Sequence, residues 1–360
     1  MRLLLAATIL AVSLSANALV IVPSFDTTIS NDVNAATIES TINTAIQLYQ
    51  TRFSDPITVT IQFKEISTSG LYGQSSWWYY NISYTQFRAA LLADATTTND
   101  TVALANLASG ANNPVTGTTT VRVKTANLRA IGITGKNSGL AGGYDGIIGL
   151  HTSQLNLSRA TTVGAKGDLM STVWHEMDEV LGLSCALDSN SSDPLPEDFF
   201  RYTSAGVRSY STNGDDAYFS LDGTNLLARF NQGASGDYGD WWVAGSHTAQ
   251  VQDASATNGK TPNPWVELTA LDAIGYNLLP VPSPVINLTS ISGTQLVLNG
   301  ANGMASGTYV VLTSTNLPAL FTQWTPIYTN FLTTSGPFTF TIPNAVHPAD
   351  INRFFALQVR

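Results

Sequence analysis

Apolar residues recur every three to four positions in four segments of the chain, and this spacing predicts helices. The segments are Ala36–Phe53, Ser83–Ala95, Asp168–Leu181 and Asn263–Leu279. In the third segment, Asp168 is a residue type that favours the N-cap position. Gly182 is the residue type that commonly ends a helix, and the fourth helix is expected to end near Gly275.

Apolar and polar residues alternate in other segments, and this pattern predicts strands. The predicted strands before residue 280 are Asp55–Ile66, Thr118–Thr125 and Tyr144–Ser153. Asp216–Asn231 has the pattern of a hairpin that turns at Asp222-Gly223. Helices and strands mixed in this order indicate an α+β domain that extends to about residue 279.

The pattern changes where prolines stand at positions 280, 282 and 284. Closely spaced prolines stiffen a chain, so residues 280–288 are predicted to form an extended linker. Short strand patterns separated by Gly, Asn and Pro turns follow it, namely Thr294–Gly300, Gly307–Thr315, Phe338–Pro343 and Arg353–Val359. Residues 289–360 are therefore predicted to form a small all-β sandwich. This segment resembles a β-rich terminal module of exported bacterial proteins, and the resemblance implies an accessory role in secretion, cell-surface attachment or glycan contact.

The N-terminus has the three parts of a secretory signal peptide. Arg2 supplies the charge, Leu3–Leu14 the apolar core, and Ala16-Asn17-Ala18 the small residues of a cleavage site. We predict that residues 1–18 are removed and that the mature chain, with its main domain over residues 19–279, is secreted. The alternative to a signal peptide is that this apolar segment forms the first buried strand or helix of the domain. No later apolar run is long enough for a membrane span.

Composition excludes one class of partner. The chain has 360 residues, a net charge of −9 and only 11% charged residues. Nucleic-acid binding depends on clustered Lys and Arg, which the sequence lacks, so no nucleic-acid partner is expected. Cys185 is the only cysteine, which excludes an intrachain disulfide.

The candidate chemistry lies in the third predicted helix, in the sequence HEMDE. His175 and Glu179 are four residues apart and face the same side of a helix, where both can reach one cation. Glu176 lies beside them, where a carboxylate can act as general base on water. The alternative is a solvated amphipathic helix whose polar residues happen to have this spacing.

Six ordered blocks of the sequence resemble a family of bacterial exported zincin-like metalloproteases, some of which carry H-E-x-x-E at this point. The blocks are VIVPSFDTTI, HEMDEVLG, EDFFRYTSAGVRSY, AYFSLDG, GDYGDW and LTALDAIGY, and they span about Val20–Asn277. The resemblance implies a metzincin-related domain in which His175 and Glu179 bind zinc and Glu176 is the general base. The chain would then be a zinc endopeptidase that acts on a polypeptide.

The resemblance also implies where an extended substrate would bind. Tyr144–Ser153 lies where a zincin keeps the edge strand that pairs with the substrate, so Gly149 and His151 are candidate substrate-binding residues. His151 could instead stabilise the oxyanion, or be an exposed strand residue.

Three residues are candidates for a third metal ligand. Cys185 stands at the position of the third metzincin histidine, and a thiolate binds zinc well. Asp188 follows the turn after the helix and could reach back. His247 is distant in sequence, but neutral imidazole is the commonest metal ligand.

Acidic loop residues suggest a calcium site as a second possibility. Asp237 and Asp240 lie in a glycine-rich loop, before Trp241 and Trp242, which could line a substrate cleft; further acids are Asp215, Asp216 and Asp222. Calcium needs several converging oxygens. Turn formation explains the same residues equally well.

Two other functions remain open from the sequence. The first is a zincin-like protein that has lost activity and binds a cell surface or matrix. The second is a glycan-binding or glycan-acting exported protein that uses Glu176 and Glu179. Trp324 of the β-rich segment could stack on a sugar, but a tryptophan in a small sandwich is more often buried.

Overall fold

The structure is a computed structural model. It describes residues 18–160, 163–214, 216–233, 236–243, 249–255, 262–280, 284–303, 308–319, 323–332, 336–346 and 352–359. All but the last residue of the expected signal peptide, 1–18, lie outside these ranges, and so do Asp215 and His247. The described part contains 28% helix and 32% strand, which is compatible with the α+β class.

The helices and strands are as follows. The α-helices are α1 Thr27–Ser30, α2 Ala35–Arg52, α3 Tyr84–Asp94, α4 Thr98–Asn106, α5 Thr125–Ala130, α6 Leu169–Leu181 and α7 Trp265–Ala273. The strands before residue 280 are β1 Val20–Phe25, β2 Thr58–Glu65, β3 Gly73–Trp77, β4 Tyr79–Ser83, β5 Thr120–Lys124, β6 Gly146–Leu150, β7 Leu155–Asn156, β8 Gly167–Asp168, β9 Arg201–Ser204, β10 Val207–Arg208, β11 Tyr218–Phe219 and β12 Ala228–Arg229. The later strands are β13 Val285–Ser292, β14 Gln295–Gly303, β15 Thr308–Ser314, β16 Thr325–Phe331, β17 Gly336–Ile342 and β18 Phe354–Val359.

A four-stranded sheet in the order β1-β2-β6-β3 supports the candidate site. Strands β1, β2 and β6 are parallel, and β3 runs antiparallel to β6 at the edge of the sheet. The alternation in β2 follows the sequence pattern, because Val59, Ile61 and Phe63 are fully buried. Helix α6 packs against β3, β6 and α2, so the helix of the HEMDE sequence lies directly on the sheet.

Sheet position corrects one sequence-based expectation. The segment Tyr144–Ser153 does contain a strand, β6, but that strand is hydrogen-bonded on both sides, to β2 and to β3. Its backbone groups are therefore already paired and cannot bind an extended peptide. The edge position belongs to β3, whose sequence GQSSW has no apolar alternation and was not predicted as a strand.

The helix predictions agree well with the structure. Helix α6 ends at Leu181, Gly182 follows it as C-cap, and the Asp168 side chain caps the other end by accepting a hydrogen bond from the Ser171 amide. The four predicted helices correspond to α2, α3, α6 and α7. The predicted hairpin turning at Asp222-Gly223 is present as the pair β11–β12. Several other elements were not predicted, namely strands β1, β3, β4, β7, β8, β9, β10, β13 and β16 and helices α1, α4 and α5.

The described residues between 285 and 359 form two three-stranded antiparallel sheets, β13-β14-β17 and β16-β15-β18. Their buried apolar residues form clusters separate from the large core of the preceding part. Trp324 is buried and donates its indole N–H to the carbonyl of Ala319 at 2.9 Å, so it is not an exposed platform for a sugar. Among the helices described, none is long and apolar enough to cross a membrane.

Candidate metal site

Three side chains from two elements form a possible metal-binding group. One ligand atom from each of His175, Glu179 and Asp240 lies within 4.8 Å of the other two. His175 Nε2 and Asp240 Oδ1 are 3.5 Å apart. His175 and Glu179 come from α6, as their four-residue spacing predicts, whereas Asp240 comes from the loop before Trp241.

The imidazole of His175 is held in an orientation suited to a metal ligand. Its Nδ1 is 3.1 Å from the carbonyl oxygen of Val251. Because this hydrogen bond needs the proton on Nδ1, Nε2 is the nitrogen left to bind a metal, and it faces Asp240. Gln252 also donates from Nε2 to the backbone carbonyl of His175 at 2.8 Å, which fixes the segment 251–252 against α6.

The loop that carries Asp240 is anchored on both of its faces. The amide of Tyr238 donates to Asp188 Oδ1 at 2.8 Å, and Arg201 donates to the carbonyl of Tyr238 at 2.6 Å. Gly239 lies against the backbone of Ser184 and Cys185, and a Cβ atom at this glycine would be only 2.8 Å from the Cys185 nitrogen. Any larger side chain at position 239 would clash with this backbone. The glycine therefore allows the loop to pack closely enough to bring Asp240 to α6.

Two of the three sequence candidates for the third ligand, Cys185 and Asp188, have other partners in the structure. Cys185 donates from Sγ to Asp198 Oδ1 at 2.7 Å, and burial beside that carboxylate raises the pKa of the thiol well above its usual value. Asp188 supports the Asp240 loop as described above and is not a member of the group. His247 lies outside the described residues. The geometry favours Asp240 as third ligand, in place of Cys185 or Asp188.

Glu176 lies next to the group but is not a member of it. Its side chain is buried, and Gly73 at the start of β3 is packed directly against it. A Cβ atom at Gly73 would be 2.3 Å from Glu176 Oε1 and 2.7 Å from Thr172 Cγ2. The absence of a side chain at position 73 therefore lets the edge strand lie close to α6 and leaves room for the Glu176 carboxylate.

The metal-binding group and Glu176 lie in one cleft of about 990 Å³. His175, Glu176, Glu179 and Asp240 line it, together with the first three residues of β3. His151 also lines the cleft, with Nδ1 3.1 Å from the carbonyl oxygen of Leu71. Gly149, the other candidate for substrate binding, is buried within β6 against Ile66 and does not line the cleft.

Three buried carboxyl groups, those of Glu176, Glu179 and Asp240, surround the imidazole of His175. Burial, followed by the nearby Glu179, raises the pKa of Glu176 well above its usual value. Burial also raises the pKa of Asp240, to about 8, against the lowering effect of His175. Burial would lower the pKa of His175, but Asp240, Glu176 and Glu179 together raise it to about 10. A bound dication would relieve this repulsion between buried carboxylates.

A buried lysine fixes the backbone of the C-terminal half of α6. Lys124 Nζ donates to the carbonyl of Glu179 at 2.5 Å, to the carbonyl of Leu183 at 3.1 Å and to Ser184 Oγ at 2.6 Å. Its ammonium group also lies 4.0 Å from the centre of the Trp77 ring. Burial lowers the pKa of Lys124 to about 7. Lys124 thus joins β5, β3 and the end of α6.

Two of the acids considered for calcium are engaged elsewhere, whereas Asp237 lines the cleft. Asp216 is paired with Arg229, and Asp222 accepts hydrogen bonds from the amides of Thr224 and Asn225, as in an ordinary turn. Asp240 belongs to the His175 group, so its loop contributes to that site.

The two tryptophans after the acidic loop do not line the cleft. Trp241 is buried, donates its indole N–H to Glu267 at 2.7 Å and packs at a tilt against the ring of Phe230. Trp242 lies under the guanidinium of Arg229. Both therefore serve packing around the loop rather than substrate contact.

No protein-family model, curated protein or solved structure matches this chain.

Proposed function

We propose that this protein is a secreted zinc-dependent endopeptidase with a zincin-like domain, whose zinc ligands are His175, Glu179 and Asp240. The observation that carries the proposal is the placement of Glu176 beside that group, in a cleft bordered by an antiparallel edge strand. Export is supported by the signal-peptide pattern of residues 1–18.

The donor set fits zinc. One imidazole nitrogen and two carboxylate oxygens are ligand types that zinc accepts, and three protein ligands are the number found in catalytic zinc sites. The buried carboxylates around His175 supply the negative charge that a dication needs. Zinc, when bound, would act as a Lewis acid that lowers the pKa of water and polarises a carbonyl.

The side chains present can perform the remaining steps. Glu176 would accept the proton of the attacking water at its carboxylate and pass it to the nitrogen of the leaving amine. Burial raises the pKa of Glu176 above its usual value in the metal-free site, and a dication beside it would act against that rise.

An extended polypeptide is the substrate that the edge strand suits. The outer edge of β3 has no strand partner in the described residues, and its first three residues line the cleft. A substrate added along β3 would be held by main-chain hydrogen bonds, which allow varied side chains. His151 lines the same cleft and would contact that substrate. The acidic cleft residues disfavour a nucleic-acid substrate.

The other two functions receive less support. A glycan-cleaving mechanism needs two carboxyl groups on opposite sides of a bond, whereas Glu176 and Glu179 lie on one helix. A surface- or matrix-binding protein without activity is the main alternative, and metal binding without cleavage would indicate it.

The decisive experiment compares the unaltered mature chain with the Glu176→Gln variant after both are loaded with zinc. We expect the unaltered protein to cleave an unfolded protein substrate and the variant to lose about 10²–10⁴-fold in kcat, the typical contribution of a general base. Zinc content, measured by mass spectrometry, should be about the same in both, because Glu176 is outside the ligand group.

The matched control is Glu39→Gln, a change of the same kind on α2, away from the cleft. Its activity should equal that of the unaltered chain. Cleavage by Glu176→Gln at the unaltered rate, or absence of any cleavage by the zinc-loaded protein, would contradict the proposed function.

A further inference from the structure

The edge strand contacts one of the proposed metal ligands directly. Ser75 of β3 donates its hydroxyl hydrogen to Glu179 Oε2. Residues two apart on a strand face the same side, and accordingly Gly73 and Ser75 both face α6. Gly73 lies against Glu176, and Ser75 lies against Glu179 one turn further along the helix.

This hydrogen bond distinguishes the two oxygens of Glu179. A serine hydroxyl has a single hydrogen to donate, and a bond to an ionised carboxylate is among the stronger hydrogen bonds in proteins. The contact occupies Oε2 and leaves Oε1 without this partner. A carboxylate that is held in this way is biased toward binding a cation through one oxygen.

The number of oxygens that bind matters for the proposed chemistry. A catalytic zinc site keeps a coordination position open for water or substrate. His175, Asp240 and one oxygen of Glu179 would supply three ligands, whereas both oxygens of Glu179 would supply a fourth. A second oxygen from Glu179 would therefore compete with water for the open position.

We propose that Ser75 is a positioning residue that makes Glu179 bind the cation through a single oxygen. The proposal rests on the proposed metal centre and extends it, because it assigns a role to a residue outside the ligand group. The backbone of Glu179 is held separately, by the hydrogen bond from Lys124 Nζ to its carbonyl. Loss of the Ser75 hydroxyl should therefore free the Glu179 side chain without displacing the helix.

The test uses the mature chain and its Ser75→Ala variant, each freed of metal and titrated with zinc. We expect zinc affinity to fall about 10–100-fold in the variant, the usual effect of losing a partner that orients a ligand. We also expect X-ray absorption to show an additional carboxylate oxygen in the zinc coordination shell. The Ser75→Thr variant keeps a hydroxyl, so its zinc affinity and its zinc coordination shell should match those of the unaltered chain.

The matched control is Ser76→Ala, which changes the next serine of β3, an exposed residue on the opposite face of the strand. Its affinity and coordination shell should equal those of the unaltered chain. Circular dichroism of the metal-free proteins should show the same fold in every variant.

The outcomes separate the two proposals. If the unaltered chain binds zinc and Ser75→Ala has the same affinity and coordination shell, the role of Ser75 is overturned while the metal site stands. If the unaltered chain binds no zinc, both proposals are overturned.

Discussion

At the scale of single residues, the candidate site depends on how each donor is oriented before any metal arrives. His175 uses Nδ1 to bond the Val251 carbonyl, which leaves Nε2 for the metal. Asp240 accepts a hydrogen bond at Oδ2 from the amide of Asp237 at 3.2 Å, while Oδ1 faces His175. Ligands that are oriented in advance lose less entropy on binding, so each contributes more to metal affinity.

Replacing Asp240 should therefore weaken zinc binding strongly. In Asp240→Asn we expect zinc affinity to fall by roughly 100-fold or more, because an anionic ligand is lost. Loss of a residue that only hydrogen-bonds to a ligand already lowers metal affinity by about 10–100-fold. Competition with a coloured chelator would measure it. Asp32→Asn is the control, since Asp32 lies before α2, outside both the ligand group and the cleft. Equal affinities of the two variants would refute Asp240 as a ligand.

At the scale of elements, the site exists because β3 and β6 lie close against α6. Two glycines permit this approach: a Cβ atom at Gly73 would overlap Glu176, and one at Gly146 of β6 would be 2.3 Å from Val180 Cγ2. Lys124 then ties the end of α6 to β5 through the carbonyl of Glu179. The distance between sheet and helix is thus set at two strand positions without side chains, which lie against the side chains of Glu176 and Val180.

Adding one methyl group at position 73 should disturb this packing. Gly73→Ala is expected to lower the free energy of unfolding by about 1–3 kcal/mol, the usual cost of overpacking, since strand or helix must move. Urea denaturation monitored by tryptophan fluorescence would measure the change. In Gly164→Ala, where no atom lies within 4 Å of the added Cβ, stability should stay within about 0.5 kcal/mol of the original. Equal stability of both variants would mean that β3 is not pressed against α6.

At the scale of the whole molecule, the described residues form separate apolar cores. The large core contains buried side chains from Leu19 to Tyr276, and the cores of the β-rich part begin at Leu296. The backbone of the first part is closed by a hydrogen bond from the amide of Leu279 to the carbonyl of Arg52 at 2.7 Å. No buried apolar side chain is shared between the described cores.

A chain that ends at Pro280 should accordingly keep the metal site. We expect residues 19–280 to bind zinc with the affinity of the longer chain and to unfold cooperatively, because their core is complete without the β-rich part. Calorimetry of the chain from residue 19 to 360 should show a further transition that the shorter chain lacks. Failure of the shorter chain to fold, or a large loss of zinc affinity, would show that the β-rich part supports the site.

Much of the secondary structure could be predicted because it depends on residues close together in the chain. Helix α6 follows from its apolar periodicity, from Asp168 as N-cap and from Gly182 as stop, and all three are local features. The same periodicity places His175 and Glu179 on one face, with Glu176 beside them. Two members of the metal group were therefore predictable before any tertiary contact was known.

The third member and the edge strand were decided only by the tertiary structure. Asp240 was recognised in the sequence as part of an acidic glycine-rich loop, but its approach to His175 depends on contacts with Ser184 and Cys185, far away in the chain. Strand β3 has a polar sequence, because one of its faces must leave room for the carboxylates of α6. The sequence by itself determined the helix and the spacing of its donors, since these arise within a few residues. Only packing between distant segments decided which further carboxylate completes the group and which strand borders the cleft.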